Sequence, residues 1–170
     1  QHIVLGVNEL SPEEWDAKFG KVYKAHIEHG VEMMMAGHIA LPHYSKKLNP
    51  ALMDEDILPA TLAEEITLGL LKTQLGFNGV VVTDASHMLG MTAAMSRREQ
   101  LPTAIAAGCD MFLFFNDMDE DFNYMLEGYR NGIISEERLT DALRRILGLK
   151  AKMGLIKKQA EGTLLRKAEE

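Results

Sequence analysis

The sequence predicts an α/β fold made of parallel strand–helix units. Residues 80–82 are three consecutive valines between a glycine and a Thr-Asp pair. So short and unbroken a β-branched run is typical of a strand that is covered on both faces. A helical pattern, a glycine, an apolar strand and a polar tip recur three times, with tips at His38, Asp84 and Asn116. Repeats of this kind indicate a parallel sheet with right-handed crossovers.

The number of strands predicts part of a barrel. No Gly-x-Gly-x-x-Gly or Walker-type loop follows a predicted strand, which favours a barrel over a nucleotide-binding fold. A (β/α) barrel needs eight strands and about 250 residues, whereas this chain has 170 residues and three clear strand patterns. We therefore expect residues 1–156 to be the C-terminal half of a TIM-type barrel. Residues 157–170 are charged and weakly patterned, and we expect a linker or tail there.

The first strong helix signal covers residues 12–29. Ser11 is a favourable N-cap and Pro12 suits the first helical position. Glu14 lies where its carboxylate can reach back to Ser11 and complete a capping box. Gly30 suits the left-handed residue that ends a helix.

The other elements follow from the same kinds of signal. A Thr61/Glu64 capping box begins a helix that Gly76 ends. Pro102 interrupts or restarts a helical region. The remaining predicted elements are a strand over residues 31–36, a long loop over 41–60, the helical region near 92–107, a strand over 111–115, and helices over 118–130 and 136–153.

Composition excludes several classes of partner. The formal net charge of −7 argues against nucleic-acid binding, since binders of the phosphate backbone usually present a basic face. The chain has no apolar run of membrane-spanning length and no signal-peptide pattern at its start. Cys109 is the only cysteine, so neither an intrachain disulfide nor a zinc-ribbon spacing exists. We expect no cofactor and no metal.

Asp84 is the first candidate for a catalytic group. In parallel α/β folds the catalytic side chains lie at the carboxyl ends of strands, and Asp84 follows the valine strand there. The alternative is that Asp84 caps the next helix, a common role for aspartate.

Several segments carry a family pattern. They read PATL at 59–62, LLK at 70–72, LGFNGVVVTD at 75–84, AAGCDM at 106–111 and RL with RIL within 138–147, with Met88 among them. Over residues 31–154 they resemble the N-terminal barrel domain of glycoside hydrolase family 3, and within it the β-N-acetylhexosaminidase-like branch. The Gly-Phe-x-Gly-Val-Val-x-Thr-Asp element is the most specific part.

The resemblance implies that Asp84 is the nucleophile of a retaining hydrolysis. An ionised carboxylate attacks the anomeric carbon through an oxocarbenium-like transition state and holds the sugar as an ester until water arrives.

His2 is the candidate general acid/base. The resemblance implies a mobile loop that carries an Asp-x-His triplet in this branch. Gln1-His2 matches the last two residues of that triplet. Imidazole suits proton transfer because its ordinary pKa lies near neutrality. The alternative is that His2 is a disordered terminal residue. The partner aspartate, the family's Lys-His pair and its sugar-binding arginine would all lie upstream of residue 1.

Two further residues are substrate-binding candidates. His38 matches the end of the strand before the nucleophile strand and would line the sugar pocket, or it is a core histidine satisfied by backbone. Met88 matches a pocket-wall methionine, but methionine is also ordinary core filler.

The expected function is a retaining glycosidase on β-linked sugars, with terminal N-acetylglucosaminides as substrate and β-glucosides as the alternative. A non-catalytic carbohydrate-binding or structural fragment competes with it. A weaker third reading is an unrelated barrel enzyme acting on a phosphorylated metabolite. The expected partners are the carbohydrate substrate and, for unpaired strand edges, a second copy of the chain or an upstream barrel segment.

Overall fold

The computed structural model describes residues 5–156, so His2 and the predicted tail over 157–170 lie outside the described residues. Helices pack against two small parallel sheets, which confirms the mixed helix and parallel-sheet class. The elements are β1 Gly6–Val7, α1 Pro12–Trp15, α2 Lys21–Glu28, β2 Met33–Ala36, β3 Ile39–Ala40, α3 Pro42–Leu48, β4 Val80–Ala85, α4 Leu89–Thr92, α5 Arg97–Ala106, β5 Met111–Leu113, α6 Met118–Arg130 and α7 Glu136–Lys152. Two π-helical segments, Asp16–Gly20 and Glu65–Gln74, and a 3₁₀ turn, Asp54–Asp56, complete them.

The valine strand is the centre of the larger sheet, in the order β2-β4-β5 with all strands parallel. Its three valines are buried, as expected for a strand that is covered on both faces. Met33 pairs with Val80, and Ala36 pairs with Thr83. Gly79 is required just before the strand because a Cβ there would overlap the carbonyl of Glu32.

The first helix confirms its capping signals. The Ser11 hydroxyl accepts from the Glu14 N–H at 3.2 Å, and the Glu14 carboxylate accepts from the Ser11 N–H at 3.0 Å. Helical backbone continues from α1 through a π-helical turn into α2 and ends before Gly30, which has φ +77°.

Two predictions for residues 41–64 are wrong. The predicted loop over 41–60 contains α3, whose Tyr44 packs edge-on against Trp15 with ring centroids 5.3 Å apart. Thr61 does not cap a helix, because the π-helical segment begins at Glu65 and the Thr61 hydroxyl bonds His38 instead.

The break in the predicted helical region lies before Pro102. Ser96 and Glu99 form a capping box that begins α5, and Pro102 lies inside that helix. A Cβ on Gly128 of α6 would overlap the Pro102 ring, so this glycine lets α5 and α6 approach closely. The predicted helices over 118–130 and 136–153 match α6 and α7.

A buried charge cluster closes the amino end of the sheet. Asp110 accepts from the Val81 N–H at 2.8 Å and from Lys72 Nζ at 2.9 Å, and it also pairs with Arg138 of α7. Its carboxylate is fully buried. Next to it, the Cys109 thiol lies in the core and contacts the Thr61 carbonyl at 3.7 Å.

One face of the described fold leaves large apolar side chains in solvent. Met33 and Met35 project from the same face of β2 and are about half exposed. Within residues 5–156, β2 and β5 each pair with β4 alone. No described helix is both long enough and apolar enough to cross a bilayer.

We expect the 170-residue chain, made alone, to self-associate and to lack glycosidase activity. Each large apolar side chain withdrawn from water contributes roughly 1.5–3 kcal/mol to association, and unpaired parallel edges add to this tendency. Size-exclusion chromatography with light scattering, run beside an assay on an aryl N-acetylglucosaminide, tests both expectations. A Met33→Glu/Met35→Glu variant should associate less than a control with Met53→Glu, an exposed methionine outside the sheet. A stable, active monomer would contradict both expectations.

Candidate active site

Asp84 lies at the carboxyl end of β4, half-buried, where the strand leaves the sheet. Its Oδ1 accepts from the N–H of Ala85 at 2.8 Å. It does not cap the next helix, because the N-cap of α4 is Met88. The carboxylate borders a surface cavity of about 440 Å³, so it is placed to meet a ligand from solvent.

His38 lies directly behind the nucleophile candidate. The ring is fully buried, with Nε2 3.0 Å from the Ala85 carbonyl and Nδ1 2.7 Å from the Thr61 hydroxyl. Because a carbonyl only accepts, Nε2 carries the proton, and Nδ1 of the neutral ring accepts from Thr61. His38 therefore fixes the backbone immediately after Asp84. Its contact with a sugar stays a prediction.

The neutral state of His38 is favoured by the fold. Burial lowers the pKa of His38 from its usual 6.5, although the Ala85 carbonyl and the Asp84 carboxylate oppose this shift. The unfolded chain therefore takes up a proton near pH 6.5 that the folded chain does not. The stabilisation from this group is complete above pH 6.5 and declines as the pH falls toward the lowered folded value.

We therefore expect the parent chain to lose more unfolding free energy between pH 7.5 and 5.5 than His38→Gln, by at most about 1.4 kcal/mol per pH unit. Glutamine keeps a donor for the Ala85 carbonyl but does not titrate. Urea denaturation at the two pH values measures the difference. His26→Gln removes an exposed histidine instead and should keep the parent's pH dependence. Equal losses in His38→Gln and the parent would contradict the expectation.

Met88 has features of a core residue and of a residue that lines a pocket. It is buried and begins α4, yet it lines the same cavity as Asp84, together with Ala85, His87, Leu89 and Thr92. The His87 ring stacks on Phe114, with centroids 6.0 Å apart. A role for Met88 in the pocket wall stays a prediction.

Sequence reasoning missed the groups that hold the loop after Asp84. Ser86 is fully buried, and Arg97 and Gln100 of α5 both donate to it. The Ser96/Glu99 capping box would have placed Arg97 in the first turn of a helix. His2, the general acid/base candidate, lies outside the described residues.

Comparisons of sequence show the family to which the chain belongs. The model of the family described as "Glycosyl hydrolase family 3 N terminal domain" matches residues 1–149. A beta-N-acetylglucosaminidase/beta-glucosidase of Cellulomonas fimi is 52% identical over 155 residues, which are 91% of this chain and 28% of that protein. A beta-hexosaminidase of Vibrio cholerae serotype O1 is 33% identical over 96 residues, 56% of this chain and 26% of that protein.

Solved structures give the same result. A structure described as beta-glucoside phosphorylase BglX bound to 2FGlc matches with a TM-score of 0.88 and 43% identity, over 91% of this chain and 28% of that one. A family 3 beta-N-acetylglucosaminidase from Paenibacillus sp. str. FPU-7 matches with a TM-score of 0.76 and 27% identity, over 96% of this chain and 31% of that one. The chain thus spans less than a third of the length of each of these proteins. By its sequence and its fold, this chain belongs to glycosyl hydrolase family 3, and its residues 1–149 are part of the N-terminal domain of that family.

Proposed function

We propose that this chain supplies the nucleophile-bearing part of a retaining glycosidase that acts on β-linked sugars. The observation that carries the proposal is the position of Asp84, at the carboxyl end of the central strand and beside an open cavity. Residues 1–156 form the C-terminal half of a (β/α) barrel in this proposal, and residues 157–170 are a linker or tail. The opposite wall of the sugar pocket comes from an upstream segment.

The reaction proceeds in two displacements. In the first, an Asp84 oxygen bonds the anomeric carbon while the bond to the leaving-group oxygen breaks, and His2 gives that oxygen a proton. In the second, water attacks the anomeric carbon, His2 takes a proton from it, and the ester to Asp84 breaks. The configuration at the anomeric carbon is inverted twice and so retained.

The substrate is a terminal β-N-acetylglucosaminide, with a β-glucoside as the alternative. The name of the Cellulomonas fimi relative carries both activities. An assay that compares the aryl glycosides of the two sugars on one preparation separates them.

The experiment needs a complete domain. A chimera in which this chain replaces the matching 155 residues of the Cellulomonas fimi protein provides one. We expect it to release the aryl group from one or both glycosides with retained configuration, as followed by ¹H NMR of the first-formed sugar. The unmodified relative is assayed beside it. A chimera that is folded by circular dichroism but inactive would favour the non-catalytic interpretation.

Phosphate is a second candidate acceptor, because a structure at 43% identity is described as a phosphorylase. Attack by phosphate instead of water on the glycosyl ester would release a sugar 1-phosphate. The chimera assayed with and without phosphate decides this question. A phosphate-dependent ³¹P signal of a sugar 1-phosphate supports phosphorolysis, and its absence leaves hydrolysis.

We expect the loss in His2→Ala to depend on the leaving group. An activated aryl group departs with little help, whereas an alkyl or sugar alcohol needs a proton. kcat/KM of the chimera should therefore fall far more for a poor leaving group than for a nitrophenyl glycoside. The control is His43→Ala, which removes an exposed histidine. Equal losses on both substrates would remove His2 from the proton transfer.

A further inference from the structure

The loop that follows Asp84 is held against the end of β5 through Ser86. The Ser86 N–H donates to the carbonyl of Leu113, and the Ser86 hydroxyl donates to the carbonyl of Phe114 at 2.5 Å. The Ser86 carbonyl accepts from the buried amide of Gln100 at 3.2 Å. Two residues after the nucleophile candidate, the backbone is thus tied to a neighbouring strand end and to α5.

A single guanidinium connects these parts. Arg97 donates from Nε and Nη2 to the two carboxylate oxygens of Asp121, at 2.7 and 2.5 Å. Its Nη1 lies 3.2 Å from the Ser86 hydroxyl, and its Nη2 lies 3.3 Å from the Phe114 carbonyl. Asp121 also accepts from the Asn116 N–H at 2.9 Å. This ion pair therefore joins the loop after β4, the loop after β5 and the first turns of α5 and α6.

The pair is buried, which distinguishes it from an ordinary surface ion pair. The Asp121 side chain is 2% exposed and that of Arg97 is 16% exposed. Burial by itself would raise the pKa of Asp121, but the hydrogen bonds from Arg97 and Asn116 outweigh it and hold that pKa below its usual range. A buried pair is weak evidence for added stability, since apolar residues of similar volume often serve as well. Beyond the ion pair, Arg97 also donates to the Ser86 hydroxyl, to the Ser86 carbonyl at 3.5 Å and to the Phe114 carbonyl.

A second ion pair between α5 and α6 serves as a comparison for the Arg97–Asp121 pair. Arg98 lies one residue further along α5 and pairs with Glu127 of α6 at 2.8 Å. Both side chains are far more exposed than the Arg97–Asp121 pair, and their pair is not bonded to either loop. Among the described residues, α5 and α6 are thus also joined by an ion pair that makes no hydrogen bond to either loop.

We propose that Arg97 and Asp121 are positioning residues, which hold the loop after Asp84 in the conformation that aims its carboxylate at the anomeric carbon. This inference rests on the proposed function. Arginine suits the task because its rigid, planar fork can bond a carboxylate and two loop oxygens together, whereas the single ammonium group of lysine cannot. Misplacement of a reacting group by about 1 Å can cost about a hundred-fold in rate.

The first test is kinetic and uses the chimera with Arg97→Lys, Asp121→Asn and the control Arg98→Lys. We expect the first two variants to lower kcat/KM by at least about ten-fold, equally for good and poor leaving groups, because nucleophilic attack is impaired and proton donation is not. The affinity for the free product sugar should change by less than about two-fold. Arg98→Lys should change neither quantity. A folded variant with the parent's kcat/KM, or a loss confined to sugar affinity, would overturn the proposal.

The second test does not depend on activity. Hydrogen exchange followed by mass spectrometry should show faster exchange over residues 84–88 and 114–116 in Arg97→Lys, with β2 unchanged. Asp121→Asn nearly preserves shape and serves if Arg97→Lys folds poorly. An inactive parent chimera would count against the proposed function alone, and unchanged exchange in both variants would then still overturn the holding role. If the parent chimera is active, faster exchange in the variants together with their kinetic loss supports both the proposed function and the holding role.

Discussion

Replacement of Asp84 by asparagine is expected to lower turnover of the chimera by several orders of magnitude. The amide keeps the shape of the side chain and its bond to the Ala85 N–H, but it lacks the negative charge that attacks the anomeric carbon in the proposed reaction. kcat on an aryl N-acetylglucosaminide measures the loss. Sugar affinity should be nearly retained, because the cavity lining is unchanged.

Covalent trapping identifies the attacking residue independently. A fluorinated glycoside should form a stable ester that peptide mass spectrometry places on Asp84. The matched control is Asp119→Asn, which changes an exposed carboxylate in the first turn of α6, and it should keep both turnover and labelling. An ester on a different carboxylate, in a protein whose Asp84→Asn variant still turns over, would overturn the assignment.

The largest expected effect on stability is at the opposite end of the same strand. Asp110→Ala would remove the buried carboxylate from Lys72 and Arg138, whose side chains are only 6% and 9% exposed, and would leave them the more exposed Asp141 as a shared partner. Burial already lowers the pKa of Lys72, and Asp110 opposes that shift. We expect a loss of about 3–5 kcal/mol in unfolding free energy, the usual result of removing one partner from a buried ion pair.

Urea denaturation of the 170-residue chain measures this loss, with every variant at the same protein concentration because the chain is expected to self-associate. The control is Asp54→Ala, which removes the partner of Lys46 from an exposed ion pair and should change the unfolding free energy little. A loss in Asp110→Ala no larger than in this control would show that water or a relaxed backbone replaces the missing carboxylate.

Local signals predicted the elements whose ends are determined by their own residues. Ser11 caps α1 as the sequence indicates, and Ser135 caps α7 in the same way, because each bond joins residues three apart in the chain. The valine strand was recognisable because it is buried on both faces. Helix α3 was missed because no side chain caps it. It depends on tertiary contacts instead, such as the bond from the Tyr44 hydroxyl to Asp16 at 2.8 Å.

The candidate site likewise has features that local sequence signals predict and features that they do not. The position of Asp84 at the carboxyl end of β4 was predictable, since polarity changes abruptly where a buried strand ends. The link from His38 to Ala85 spans 47 positions and the pair of Arg97 with Asp121 spans 24. The periodicity of a sequence does not indicate which side chains are in contact across such separations in the chain. The choice between pocket and core could not be made from a pattern, because Met88 is buried and yet lines the cavity, whereas His38 is fully buried and bonds the Ala85 carbonyl.

The position of the single cysteine has a practical consequence. Cys109 is fully buried, and burial together with the neighbouring Asp110 raises its pKa to about 12. Thiolate is the reactive form of cysteine, so alkylation has to await a transient opening of the core. The rate at which iodoacetamide modifies this thiol therefore reports how often the core opens, without an introduced label. Because Cys109 adjoins the Asp110 cluster, the reaction reports on the part of the fold that anchors the amino end of β4.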